Sequence, residues 1–489
     1  MLVDTAPAEA DDSRSRRLGV RTKLAFSAGS LEEAMVGAAG IATMLYYNQV
    51  LGLSATLCGV VFLIASIVDG ISDPLVGAFS DRLSTRWGRR HPLMLFAAFP
   101  LGLSFYCLYM PPDGLGETGL FSWFLAFMVL LRLAKTFYTV PHAALGAELT
   151  DDYHERTSIF GYSAVVGMVA GVGLGVFLLV VLFPSTPEYG NGLLNETRYP
   201  LLASFGAVVI VLSLFACTWG TRDQIPYLHQ RPVRKIEYRE YLAELWTLIK
   251  NPSYISVCAS WLVLATSGGI LAMVSTYTYV YAFEISTEQL TIQRFVTLPG
   301  ILIAIPLSAY FTRRFDKKWT VIYSCITCAF LIGLPHFLRM IGFFPDNNSP
   351  WLLVALFGPL FLGYLVLPLV PIVIDSQLVD ITDDHEYRTG NRSEGVVFSI
   401  RTFAMKATSG IGGLIGGFGL DLIQFPENAT VGEVAPETLN GLLFMSGPLY
   451  WMIVAAGMGF MAMYQLSESR HKEILDVLRK RRAQAATGT

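Results

Sequence analysis

Apolar residues run along this chain in long unbroken stretches, not in the alternation of a half-buried strand or the narrow stripe of a surface helix. A helix that crosses a bilayer needs about 20 mostly apolar residues. Twelve stretches meet that length, centred near residues 39, 68, 101, 133, 171, 210, 267, 302, 331, 363, 409 and 452. The pattern predicts an all-α membrane protein with twelve transmembrane helices. The longest polar connection, 221–253, divides them six and six. Two parallel six-helix repeats joined by a central linker give that layout. The predicted organisation is a tail over 1–24, a six-helix bundle over 25–220, a middle loop over 221–253, a second six-helix bundle over 254–466 and a tail over 467–489.

Composition supports the same class. The 489 residues are 53% hydrophobic and 15% charged, with a mean hydropathy of +0.50. That is too apolar for a soluble protein of this size. The first 24 residues are polar and basic, with no apolar core of a cleaved signal. Lys and Arg gather on the cytoplasmic side of membrane proteins. Here they gather in both tails and in the even-numbered loops, as in Arg82, Arg86, Arg89 and Arg90 or Arg313, Arg314, Lys317 and Lys318. Among odd-numbered loops only Arg198 is basic. Both termini are therefore expected in the cytoplasm, on a multi-pass protein of the cell (inner) membrane. The net charge of −3 then says nothing about nucleic acid, and none is expected as a partner.

Two glycine series, Gly412/Gly416 and Gly413/Gly417, have the four-residue spacing that lets membrane helices approach closely. Gly167, Gly171 and Gly175 share it. "SGIGGLIGGFG" (409–419) has no preceding strand, so it reads as packing and not as a nucleotide loop. The six cysteines fall in apolar spans and read as small hydrophobes, "CITC" (325–328) included. "HKEILDVLRKRR" (471–482) is basic and amphipathic and reads as a surface-lying helix.

Charges inside spans point to function, because each costs roughly 2.5–3.5 kcal/mol at the bilayer centre on insertion scales. "VDGISDP" (68–74) places Asp69 and Asp73 one helical turn apart, on one face. Two such carboxylates repel, so they share a proton, hold a cation, or pair with a lysine such as Lys135 or Lys406. Asp69, Ser72 and Asp73 offer oxygen ligands within about one turn, and Thr136 on the fourth span offers another. Span 4 also carries Arg132 and Lys135, span 11 carries Arg401, Thr402 and Lys406, and span 1 carries Glu32 and Glu33. Glu32 reads as a solvated interface residue.

The same residues carry a resemblance. The chain resembles the glycoside–pentoside–hexuronide:cation symporters of the major facilitator superfamily, a family typified by the melibiose permease. The resemblance covers nearly the whole chain. It rests on "YYNQVLGLS" (46–54), "DGISDPLVG" (69–77) with "RWGRRHP" (86–92), "VPHAALGAELTDDYHERT" (140–157), and "LVDITDDHEYRTGNRSEG" (378–395) followed by "SIRTFAMKATSG" (399–410). It implies the major facilitator fold, alternating access, and a Na⁺ or H⁺ site beside a sugar site, with no cofactor. The cation site falls on Asp69, Ser72, Asp73 and Thr136, with Asp69 and Asp73 as ligands if the ion is sodium. The substrate positions fall on Glu33, Thr139, Thr402 and Lys406.

Three sugar-site positions depart from the family. The helix-4 carboxylate falls on Thr139, the aromatic after it on Ala143, and the helix-5 arginine on Ala164. Lys135, next to Thr136, is a candidate tethered counter-ion that replaces a mobile cation. Loops 81–91 and 380–394 are candidate gates, through Asp81, Arg82, Arg89, Arg90, Asp380, Asp383, Arg392 and Glu394.

The reading is a cation-coupled symporter of a small carbohydrate or glycoside, acting as a monomer in membrane lipid. One rival is a transporter of lysolipid-like amphiphiles, which suits the small residues Ala143 and Ala164. Another is a non-transporting sensor or scaffold, which predicts signalling domains or long tails. An enzyme has no nucleophile–base or metal spacing to rest on, and His142 reads as a packed helix-end histidine.

Overall fold

A lipid-facing backbone must satisfy its own polar groups, so a chain of this hydropathy is expected to fold into helices. The structure, a computed structural model, describes residues 17–487 apart from 84, 151, 229–237, 392 and 393. The side chains of 153, 238–243, 301, 305, 394, 395, 399–404, 407–409, 482, 483 and 485–487 lie outside the description. The described residues form no strand.

The first bundle holds α1 (Val20–Ala28), α2 (Ser30–Leu45), α3 (Ala55–Arg82), α4 (His91–Leu108), α5 (Glu117–Glu148), α6 (Tyr153–Phe177) and α7 (Tyr199–Gly220). A helix in the connection, α8 (Tyr238–Ile249), leads to the second bundle. That bundle holds α9 (Pro252–Tyr277), α10 (Thr287–Val296), α11 (Leu298–Met340), α12 (Leu352–Val366), α13 (Leu369–Thr389), α14 (Glu394–Leu422), α15 (Pro436–Ser446) and α16 (Pro448–Ala462). The last helix is α17 (Glu468–Thr487).

Among the described residues, nine helices are long and apolar enough to cross a membrane. The other three of the twelve spans are interrupted or partly described. Span 1 is α1 and α2, which meet at Gly29. Span 8 is α10 with the first part of α11, and span 11 is α14. Asp316, at φ 62°, breaks α11 into 298–315 and 317–340, which belong to two successive spans.

The internal repeat is visible in the backbone. Spans 1 and 7 both end in a π-helical turn, Tyr46–Val50 and Thr278–Ala282. After each turn the chain reverses through a residue of positive φ, Gly52 (74°) and Glu284 (50°). The N–H groups of Leu53 and Ile285 then reach back to the carbonyls of Tyr47 and Tyr279, at 2.8 and 2.9 Å. Ser54 and Ser286 follow as N-caps, and Pro74 and Pro306 lie within the helices beyond. All these pairs are separated by one constant number of residues.

Helix α14 packs between α3 and α9. Its two glycine series face different neighbours. A Cβ on Gly412 would lie 2.6 Å from the Gly269 backbone, and one on Gly413 would lie 2.9 Å from Phe62. Helix α17 corrects the surface-helix expectation. Its apolar residues Ile474 and Leu478 are buried in the second bundle's core, and the helix packs on α13.

Candidate functional site

Helix α3 presents Asp69 and Asp73 toward α5, which packs along it. Pro74 has no N–H, so one carbonyl of the preceding turn loses its helical donor beside the two acids. The Thr136 hydroxyl of α5 lies 3.2 Å from Asp69 Oδ1, 3.0 Å from Asp73 Oδ1 and 3.1 Å from the Ser72 hydroxyl. A hydroxyl has one proton, so Thr136 donates to one carboxylate at a time. The four residues expected to form the cation site are thus brought together, with Thr136 and Ser72 buried.

A fifth group joins them from the other bundle. Lys406 of α14 hydrogen-bonds Asp73 Oδ2, donates to the Asp69 carbonyl at 2.9 Å, and lies 3.5 Å from Asp69 Oδ2. The sequence offered Lys135 as a tethered counter-ion, Lys406 as a substrate residue, and either lysine as a static partner of the acids. In the structure the ammonium beside the acids is that of Lys406. Lys135 instead pairs with Glu33 at 3.2 Å. Helix α14 packs against α3 and brings Lys406 beside the acids.

Glu33 is largely exposed, while Glu32 is 1% exposed and its Oε1 has no hydrogen-bond partner. This corrects the reading of Glu32 as a solvated interface residue: a step of one residue turns the side chain about 100° around the helix, from the cleft into the bundle. Glu33, Gly37 and Gly40 share the opposite face of α2. With Arg132 and Lys135 of α5 and Tyr109, the residue that follows α4, they line a cavity of about 270 Å³ in the first bundle.

Thr139 donates to the Lys135 carbonyl at 3.1 Å, and Ala143 and Ala164 are exposed. The Thr402 side chain, Arg392 and the Glu394 side chain lie outside the described residues. His142 stacks on Phe26 at 4.2 Å, with Nε2 3.0 Å from the Phe26 carbonyl.

The two bundles are joined at the face opposite the chain termini. Asp421 of α14 accepts from the Ser54 hydroxyl at 3.0 Å and the Thr56 N–H at 2.9 Å. Tyr277 donates to Asn48 at 2.9 Å and Tyr281 to Gln49 at 2.9 Å. Glu288 accepts from the Ser185 N–H and hydroxyl, at 2.8 and 2.6 Å. "YYNQVLGLS" is therefore a latch: its π turn aims Asn48 and Gln49 across the interface. Arg294, absent from the sequence reading, lies at the same interface. A Cβ on Gly175 would come within 3.1 Å of its Nε, and its Nη2 is buried without a partner.

At the face that carries the termini, the described ion pairs stay within one bundle. Arg90 is buried and pairs with Asp81 at 2.5 Å and Glu148 at 2.7 Å, and Arg89 joins Glu148 at 2.9 Å. Arg82 is exposed. In the second bundle Lys317 pairs with Asp380 at 2.6 Å, and His471 of α17 reaches Asp383 at 3.1 Å. Glu148, the acid on which both arginines converge, was not singled out in the sequence.

A family model described as MFS/sugar transport protein matches residues 25–468. A candidate glycoside/cation symporter of Escherichia coli (strain K12), YagG, is 26% identical over 481 residues, 96% of each chain. The isoprimeverose transporter of Lactiplantibacillus pentosus is 24% identical over 383 residues, 76% of this chain and 74% of that one. In fold, the chain is similar to an inward-facing bacterial homologue of the lysosomal transporter Spinster. That likeness has a TM-score of 0.60 and 14% identity, covering 96% of this chain and 99% of the other.

Proposed function

The chain belongs to the MFS/sugar transport protein family, and from that premise we propose cation-coupled symport of a small carbohydrate or glycoside by alternating access. The sugar relatives support the substrate class, since glycosides and isoprimeverose are what their names give them. The protein is a membrane transporter and not an enzyme. Its basic loops support a chain with both termini in the cytoplasm. In that orientation the latched face is outside, and the arrangement is inward-facing.

The observation that carries the reading is Lys406 on the Asp69–Asp73 pair. An ammonium and a small cation compete for the same oxygens. When Na⁺ or H⁺ neutralises the acids, Lys406 is released toward the cleft lined by Glu33, Arg132 and Lys135, where substrate hydroxyls bind. When the cation leaves, Lys406 returns and draws α14 onto α3. The ion thus interacts differently with the two states, which coupling requires. Asp81, Arg89, Arg90 and Glu148, with Lys317, Asp380 and Asp383, brace the helix ends that part at the cytoplasmic face.

The test is a proteoliposome uptake screen over sugars and glycosides, with and without imposed Na⁺ and proton gradients. Gradient-dependent accumulation of a carbohydrate supports the proposal. Uptake of carbohydrate that ignores both gradients sinks the coupling, and transport confined to lysolipids sinks the substrate class.

A further inference from the structure

Among the described residues each bundle contains a cavity on the same spans, and the internal repeat relates the two. The cavity of the first bundle, about 270 Å³, is lined on α2 by Glu33, Val36, Gly40 and Thr43. The cavity of the second bundle, about 560 Å³, is lined on α9 by Ala265, Gly268, Ala272 and Ser275. These four pairs have the same separation along the chain as Gly52 and Glu284 or Ser54 and Ser286. The fourth span of each half repeats the agreement. Met128, Leu131, Arg132 and Lys135 of α5 line the first cavity, and Tyr364, Leu367, Pro368 and Pro371 line the second, again at a single common separation. The two cavities are therefore one feature of the repeat, built twice.

Their chemistry has diverged at the matched positions. Every charge of the first cavity is absent from the second: Glu33 becomes Ala265, Arg132 becomes Pro368 and Lys135 becomes Pro371. Phe62, Phe105 and Tyr109 line the first cavity beside its charges, whereas the second has the uncharged aromatics Trp261, Tyr279, Tyr364 and Tyr450, with Ser275 and Gln293 among its polar groups. Charged groups hydrogen-bond sugar hydroxyls, and an uncharged wall rich in aromatic faces suits an apolar group. Packed interiors hold few voids larger than a water molecule, and a cavity of this volume lies in the range of ligand pockets. Helices α2 and α9, which line the two cavities, touch across the bundle interface.

We propose that the substrate is a bipartite glycoside, its sugar held in the first-bundle cavity and an apolar aglycone, aryl or short alkyl, in the second-bundle cavity. The proposal rests on the carbohydrate reading above and narrows it. It makes the second cavity a specificity site whose contribution scales with the apolar surface of the aglycone.

The experiment compares matched free sugars, methyl glycosides and p-nitrophenyl glycosides of the glucosyl, galactosyl, xylosyl and glucuronosyl series. Each is scored as an inhibitor of counterflow in proteoliposomes of the full chain, against the best-transported glycoside. The expected result is inhibition by the p-nitrophenyl glycoside about tenfold or more tighter than by its methyl partner. Gly268→Leu is the informative variant, because a Cβ there meets nothing within 4 Å and the added side chain enters the cavity. Gly268→Leu and, independently, Ala272→Leu should bring that ratio close to one. The ratio is internal to each variant, so a lower yield of folded protein does not change it. Glycosides that bind with no aryl preference, or with a preference both variants leave intact, overturn the bipartite proposal while the carbohydrate reading stands. Failure of every carbohydrate to inhibit overturns both.

Discussion

The Lys406 ammonium is hydrogen-bonded to the Asp73 carboxylate, across the interface between the two six-helix bundles. The pair ties helix α14 to helix α3, and it occupies the position proposed above for the coupling cation. Lys406→Ala should leave two adjacent carboxylates without their positive partner. Removing one member of a partly buried pair is costly because the other charge is left behind. The variant should therefore unfold at a lower temperature in Na⁺-free buffer and regain stability on addition of Na⁺. Thermal unfolding over a Na⁺ titration checks this. A variant that responds to Na⁺ no more than the unaltered chain refutes the competition between lysine and cation.

Thr136 tests the acid pair without altering charge. Thr136→Val keeps the shape and removes the hydroxyl that lies within 3.2 Å of both carboxylates. Loss of a buried donor to a charged acceptor costs about 1–3 kcal/mol. The cation concentration for half-maximal uptake should rise roughly tenfold or more, with the change confined to the cation term. Uptake kinetics at several cation concentrations measure it, and an unchanged cation dependence would contradict the site.

Much of this site was legible in the sequence, and the reasons are local. Asp69, Ser72 and Asp73 lie within two turns of one helix, so their spacing alone puts them on one face. The twelve spans follow from stretches of apolar residues that any single window reveals. What the sequence withheld depends on contacts between distant segments. Lys135 and Lys406 carry the same charge, and only the insertion of α14 beside α3 decides which one meets the acids. Glu32 and Glu33 are adjacent, and helical phase relative to α6 and α7 decides which is buried. Glu148 closes on Arg89 and Arg90 from a different helix, at a separation in sequence no motif spans. Asn48 and Gln49 were quoted as part of a motif, but their role needed the π turn that points them across the interface. The amphipathic tail showed an apolar face without showing that α13 covers it.

The latched face gives a conformational prediction. A Cβ on Gly59 would lie 2.7 Å from the Gly413 carbonyl oxygen and 2.8 Å from the Leu414 Cα, both backbone atoms that cannot swing aside. Gly59→Ala and Gly59→Val should weaken closure in that order, by about 1–3 kcal/mol for overpacking of this kind. Spin labels at the exposed residues Asp113 and Glu433, one in each bundle at this face, should show a growing population at longer distance. Asp421→Asn, which weakens acceptance from Ser54 and Thr56, should act in the same direction.

Arg90 predicts a difference between arginine and lysine. Its fork serves Ser80, Asp81 and Glu148 from a buried position. A lysine keeps the charge but lacks the planar array of donors. Arg90→Lys should lower thermal stability and uptake, and Glu148→Gln should resemble it more closely than Arg82→Lys does, since Arg82 is exposed. Uptake by Arg82→Lys that falls as far as that by Arg90→Lys would show that charge in the loop matters and the buried brace does not.

The central claim is that Asp69 and Asp73 couple a cation gradient to carbohydrate movement. The most direct measurement is the accumulation ratio of a transported glycoside in proteoliposomes under an inward Na⁺ or H⁺ gradient, for the unaltered chain and for Asp69→Asn and Asp73→Asn. The account predicts accumulation above equilibrium for the unaltered chain, and equilibration at best for either variant. Accumulation by a variant to the same ratio as the unaltered chain would contradict it.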